Sequence, residues 1–296
     1  MPNEEELINA RKEKRNYLMQ NGDPYPARVK TSDPIDKIKS EFNIDNQSIY
    51  RINGRVTAKR KMGKIAFLDV RNESGKIQIQ LSKEKLNEQY EILSMIDLGD
   101  FVSASGNLFI TKTEEITIAV EEINIISKAL RPPPEKWHGV VDPEIRYRSR
   151  HLDLISNEHS RELAVAFSNT IFSLRNFFHK NGFIEMQTPV LQESAGGAAA
   201  KPFITHHNQL NQDLFLRISL ELHLKRLMIG GFEKVFEIGK VFRNEGISYR
   251  HNPEFTLLES YQAYADYKDV ANMVKELITF AAQEVAGSLT IMNEEH

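Results

Sequence analysis

The residues of this sequence best suited to chemistry lie on two strand-like runs. In KVFEIGKVFR, period-two alternation puts Glu237, Gly239, Val241 and Arg243 on one face. In FTLLESYQAY it does the same for Phe255, Leu257, Glu259 and Tyr261. If the polar loop NEGISYRHNPE between them closes a hairpin, one sheet face carries a guanidinium, an aromatic ring and a carboxylate together. Arginine offers phosphate a planar fork, phenylalanine offers a base a stacking surface, and glutamate accepts from an amine. Those are the parts of a nucleotide site built on a sheet. An exposed polar hairpin with one core phenylalanine fits the same pattern, and the residues alone leave both readings open.

Other chemistries are absent from the pattern. The chain has no cysteine, which removes disulfides, thiolate metal sites and cysteine nucleophiles. No GxxxxGK[ST], GxGxxG or HExxH run occurs. His206 and His207 are adjacent rather than spaced as ligands on a helix, so polar contacts are expected of them and not a metal. A second concentration of function lies in residues 51–76, where Arg51, Arg55, Lys59, Arg60, Lys61, Lys64, Arg71 and Lys76 face only Asp69 and Glu73. Phe67 sits among them. Basic side chains track a phosphate backbone and an aromatic on a strand stacks an unpaired base. A solvated strand face with Phe67 in a barrel core is the equal alternative.

The elements that must position these groups follow from the patterning. Two domains are expected of 296 residues. With 38 Lys and Arg against 41 Asp and Glu, the net charge of -3 confines any nucleic-acid contact to a local patch. No apolar run is long enough for a membrane span and the N-terminus has no signal core, so a cytoplasmic chain without membrane partners is expected. Residues 1–48 read as a helical extension, with acidic residues first and basic ones later. Residues 49–127 carry five alternating strands with a helical stretch between the third and fourth, the order of an OB-fold barrel. Residues 128–150 hold three consecutive prolines and read as a linker. From 151 to 296 the pattern is α+β with antiparallel pairs. Leu163, Phe167, Ile171, Leu174 and Phe178 stripe one helix, FIEMQT forms a short strand, and Ser219 is the expected cap of a helix near 220–229.

The run FRNEGISYRHNPEFTLLESYQAYADY resembles the second signature of class II aminoacyl-tRNA synthetases. GGAAAKPFITHH, LFLRISLELHLKRLMIGGFEKVFEIGKVFRNEG and RPPPEKWHGVVDPEIRYRSRHLDLI resemble the lysine-specific branch, and the likeness runs from about Arg28 to His296. GFIEMQTPVL, with Pro189, is similar to the first signature, which implies a homodimer interface there. The resemblance implies an OB-fold anticodon domain followed by the first part of an antiparallel-sheet catalytic domain. It implies that ATP, with Mg²⁺, activates L-lysine for transfer to tRNA(Lys). Arg243 would then hold the α-phosphate and the lysine carboxylate, Glu245 would lie near the adenine, and His251 and Asn252 along the triphosphate. Phe255 would stack on the adenine. Gly197 and Glu221 would take the α-amino end of lysine, with Glu259 and Tyr261 completing the pocket. On the barrel, Arg60, Phe67 and Gln78 would read the anticodon.

The family's third signature, a glycine-rich run followed by an arginine, has no counterpart among the 296 residues. The Mg²⁺-binding carboxylates are accordingly expected beyond residue 296, none within this chain. The sequence thus reads as an N-terminal portion of a synthetase, with a non-catalytic tRNA-binding remnant as the alternative.

Overall fold

The computed structural model describes residues 3–43, 48–133, 142–248 and 250–290. The expected linker at 128–150 therefore lies partly outside the described residues, as do Tyr249 and the last six positions. Two compact units result, Met1–Glu158 and His159–His296.

The first unit opens with α1 (Glu4–Asn21), started by a reciprocal capping box between Asn3 and Glu6. A short α2 (Ile35–Ser40) follows, and then β1 (Ile49–Met62), β2 (Ile65–Asn72) and β3 (Gly75–Ser82). Short helices α3 (Lys83–Leu86) and α4 (Ile92–Met95), with a 3₁₀ turn between them, lead to β4 (Phe101–Ile110) and β5 (Ile116–Ser127). The strands close a barrel in the order β1-β2-β3-β5-β4, as the alternation predicts for an OB fold. β1 is long enough to serve two neighbours, pairing β4 with its first half and β2 with its second. Gly54 sits at the crossing, where a β-carbon would come within 2.7 Å of the Arg71 carbonyl oxygen. Ile52, Leu68, Val70, Ile79, Leu81, Val102 and Ile118 are fully buried inside. Each such side chain contributes roughly 1.5–3 kcal/mol on burial. After β5 come α5 (Pro143–Arg148) and α6 (Arg150–Ser156), tied together by Asp153, which takes both Arg146 and Arg150.

α7 (Glu158–Lys180) leads into the second unit. Its C-terminal half is the packed half. Phe178 stacks on Phe236 at 4.6 Å and meets Phe183 edge-on, and Leu277 joins the same cluster. The expected apolar stripe is therefore core only at its end, because Leu163 and Phe167 are exposed. FIEMQT contributes only β6 (Ile184–Glu185), which runs parallel to its neighbour rather than antiparallel. β7 (Leu191–Gln192), β8 (Ile204–His207) and β9 (Gln212–Leu216) form a small sheet that the sequence pattern did not announce. Then come α8 (Glu221–Ile229), β10 (Lys234–Phe242), β11 (Glu254–Gln262) and α9 (Tyr267–Ala286), giving a sheet in the order β11-β10-β6. No described helix is long and apolar enough to cross a membrane.

Candidate active site

The hairpin forms, and its register fixes what shares a face. Val241 lies opposite Phe255, Gly239 opposite Leu257, Glu237 opposite Glu259 and Val235 opposite Tyr261. Both faces inferred from alternation are thus the same face. Arg243 follows β10 directly, its backbone N–H donating to the Pro253 carbonyl at 2.8 Å. Its guanidinium lies 5.1 Å over the Phe255 ring and donates weakly to the Ile218 carbonyl at 3.4 Å. No carboxylate pairs with it among the described residues. The Phe255 face that Arg243 covers can receive a base only if that guanidinium moves aside.

A corner of the chain closes over the other end of this face. Glu259 accepts from the Ser219 hydroxyl at 3.1 Å, the Leu220 N–H at 3.0 Å and the Tyr261 hydroxyl at 3.1 Å. Burial and the Glu259 charge push the Tyr261 phenol well above its ordinary value, so it stays a donor. Gly197 packs on the same corner with φ at +85°, and a β-carbon there would lie 2.5 Å from the Ser219 hydroxyl. Ser219 is not the helix cap expected of it. Leu220 holds the capping position without a side-chain bond, and the Ser219 hydroxyl instead accepts from Glu221 N–H while donating to Glu259. Glu221 pairs with Lys225 at 2.7 Å, and that ammonium also lies 5.8 Å over the Tyr261 ring.

Beneath the corner is a buried ion pair. Arg217 donates to Glu237 at 2.6 Å, with both side chains 4% exposed. The guanidinium also reaches the carbonyls of Lys240 and Thr188, and the Thr188 hydroxyl donates to Glu237. Arg217 is the position that the sequence reading leaves unmarked, and Ser219 is read there only as a cap. The signal for the buried pair is one charged residue inside each of two apolar runs, LFLRIS and KVFEIG, where only a partner makes burial tolerable.

Glu245, His251 and Asn252 stand apart, exposed on the loop beyond the hairpin. His251 Nδ1 meets the Ser248 hydroxyl at 2.7 Å, and their backbones pair in a tight bridge. His206 meets the Asp213 carboxylate at 2.7 Å across β8 and β9. Among the described residues no group of three His, Asp or Glu could hold a metal ion.

On the barrel, Arg60 is opposite Phe67 and Gln78 opposite Asp69, which gathers the three expected residues on one outer face. Phe67 is half-buried while its neighbours Ala66 and Leu68 are fully buried, so the ring lies outside the core. Arg60 pairs with Asp69 at 2.8 Å. Gln78 is buried, its amide donating to Glu115 and its oxygen accepting from Thr117.

Comparison with known proteins finds two matches along the chain. Residues 142–294 match the model for tRNA synthetases class II (D, K and N), and residues 50–126 match an OB-fold nucleic acid binding domain. A lysine–tRNA ligase of Dehalococcoides mccartyi is 48% identical over 97% of this chain, which covers 59% of that relative. Those of Carboxydothermus hydrogenoformans and Lysinibacillus sphaericus are 46% and 45% identical over 97% and 96% of the chain, again covering 59% of each relative. The chain thus spans about three-fifths of the length of the curated relatives it matches. With the synthetase model covering more than half of its residues, the chain belongs to the class II tRNA synthetases (D, K and N).

Proposed function

We propose that this chain serves a lysine–tRNA ligase, activating L-lysine with ATP to lysyl-adenylate for transfer to tRNA(Lys). The observation that carries the reading is the single hairpin face on which Arg243, Phe255, Glu259 and Tyr261 meet the Gly197–Ser219–Glu221 corner. Arg243, without a carboxylate of its own, takes the α-phosphate and the lysine carboxylate. Phe255 stacks the adenine once Arg243 has moved off its ring, and Glu245, His251 and Asn252 follow the outer part of the nucleotide. Gly197 leaves room at the corner for the α-amino group, which competes with Lys225 for Glu221. Glu259, held by three donors, and Tyr261 wall the pocket.

The lysine carboxylate attacks the α-phosphorus, the bond to the bridging oxygen breaks, and pyrophosphate leaves with the electron pair. The terminal ribose hydroxyl of the tRNA then attacks the acyl carbon and expels AMP. Neither step uses a protein nucleophile. What the chain supplies is alignment and a fixed guanidinium where negative charge develops. Mg²⁺ accompanies ATP in this chemistry, but the described residues do not form a site that fits it, and no step here runs through it. The barrel face bearing Arg60, Phe67 and Gln78 reads the anticodon. Exposed Val190 and Leu191, next to Pro189, support a homodimer through that region. The site of action is the cytoplasm, where tRNA is charged.

Lysine-dependent ATP–pyrophosphate exchange is the test. Exchange that requires lysine and disappears in Arg243→Ala supports the reading. Absence of exchange, even in a version extended to the length of the relatives, overturns it and leaves tRNA recognition as the function.

A further inference from the structure

The first unit contains a cavity of about 650 Å³, remote in sequence from the hairpin and lined by α1, β1, β2 and the segment around Pro132–Pro133. Its volume is that of a small-molecule site. Val56, Leu98 and Pro133 give it apolar walls, and Arg11, Arg55 and Lys76 line it with positive charge.

Two of these cations have no carboxylate partner among the described residues. Arg11 is only 8% exposed and donates through Nη1 alone, to the carbonyls of Ala129 and Arg131. Arg55 donates once, to the Gly99 carbonyl at 3.1 Å, and its guanidinium is held flat 4.4 Å above the Phe101 ring. An arginine has five N–H donors, so both side chains keep unused ones. The carboxylates that line the same cavity are already engaged: Asp69 by Arg60, and Glu158 by Arg71. Lys76 reaches Asp69 only at 3.8 Å. Burial pushes Arg55 below the ordinary arginine value, as expected of a cation desolvated without a counter-ion. Elsewhere in the same unit, Lys128 is completely buried and is met by two carboxylates. Against that, two guanidiniums left unpaired at one cavity mark a place where an anion would complete the electrostatics.

We infer that this cavity binds a small organic anion, an oxyanion head on an apolar body, with Arg55 and Arg11 holding the head and Lys76 at the rim. An RNA backbone suits it less well, because a polyanion favours an open basic face rather than a concave pocket with apolar walls. Phosphomonoesters and carboxylates share the required head. The arms of the test separate them.

Isothermal titration of the whole chain with phenyl phosphate, benzoate and inorganic phosphate reads the inference directly. Saturable binding of phenyl phosphate or benzoate, tighter than that of inorganic phosphate, is expected, and the tighter of the two names the head group. Arg55→Gln should weaken it roughly tenfold or more, the effect of removing one charge-assisted contact. Lys76→Gln, at an exposed position that does not threaten folding, should weaken it by roughly threefold. Arg243→Ala should leave it unchanged, which keeps this cavity distinct from the hairpin site whatever the fate of that reading. Loss of binding in Arg243→Ala, or no saturable binding by any probe, overturns the inference. So does Arg55-dependent binding of a short RNA hairpin when neither organic probe binds.

Discussion

The two units sort the same kind of side chain alike, into paired and spare. In the barrel, half of the eight cations in residues 51–76 hold firm internal partners, while Arg55 keeps only a carbonyl and an aromatic ring. Arg51 holds Glu122, Arg60 holds Asp69, Arg71 holds Glu158, and Lys59 donates to the carbonyls of Leu93 and Ile96. In the second unit, Arg243 has only an aromatic ring and a distant carbonyl, while Arg217 below it is fully paired. A cluster of basic residues in a sequence is therefore a poor count of available charge. The charge left over for a ligand depends on which carboxylates the fold brings alongside.

The strongest way to sharpen this contrast is to break the occupied pairs. Lys128→Ala in the first unit and Arg217→Ala in the second each strand a buried carboxylate, and each should cost about 3–5 kcal/mol of stability. Urea unfolding of the whole chain measures both. A cost under about 1 kcal/mol for Arg217→Ala would mean water reaches that pair and the corner above it is not anchored there. Breaking the unoccupied arginine should do the opposite. Arg243→Ala should leave the unfolding midpoint nearly unchanged while lowering lysine-dependent exchange by roughly 10²–10³-fold, the loss for one transition-state donor.

On the barrel, Phe67→Ala should weaken binding of a tRNA(Lys) anticodon hairpin by about 1–3 kcal/mol and spare exchange, as removal of one stacking platform does. Equal loss of hairpin binding in Arg243→Ala would dissolve the distinction between the two surfaces. Gly197→Ala is subtler. Its positive φ adds about 1–2 kcal/mol of strain for a side chain. The new methyl also displaces Ser219 from Glu259, so a weakened lysine dependence should accompany the loss.

The smallest effect is on acid sensitivity. Burial alone would raise the Asp97 carboxyl, but hydrogen bonds from Lys128 and Lys14 outweigh it and hold the group below its ordinary value. A carboxyl depressed in the folded chain contributes stability above its unfolded value near pH 4 and loses it as pH falls through the folded one. Asp97→Asn should therefore flatten the fall in stability between about pH 5 and pH 3. An unchanged slope would place the acid-sensitive group elsewhere.

Much of the fold was legible because its signals are local. Period-two alternation located all five barrel strands, and glycine-containing turns marked the reversals after β1 and β2, while β4 turns into β5 without a glycine. The hairpin face was legible for the same reason, since register follows from alternation once the two strands pair. Strands of two to five residues, β7 to β9, carry too few positions to show a period. The exposed Leu163 and Phe167 show the converse, a clear helical stripe whose burial depends on what packs against it.

The sequence by itself determined the barrel strands, the longer helices, the family likeness and the residues on the hairpin face, because each rests on neighbours along the chain or across one ladder. Only the tertiary structure decided which charges remain available. Ser219 became a bridge to Glu259 rather than a cap, Arg217 became a buried anchor, and Gln78 was committed to Glu115 and Thr117. Hydrogen bonds and ion pairs are short-range and satisfied by whichever partner the fold delivers, often 20 to 40 residues away or more, and no local pattern records that choice.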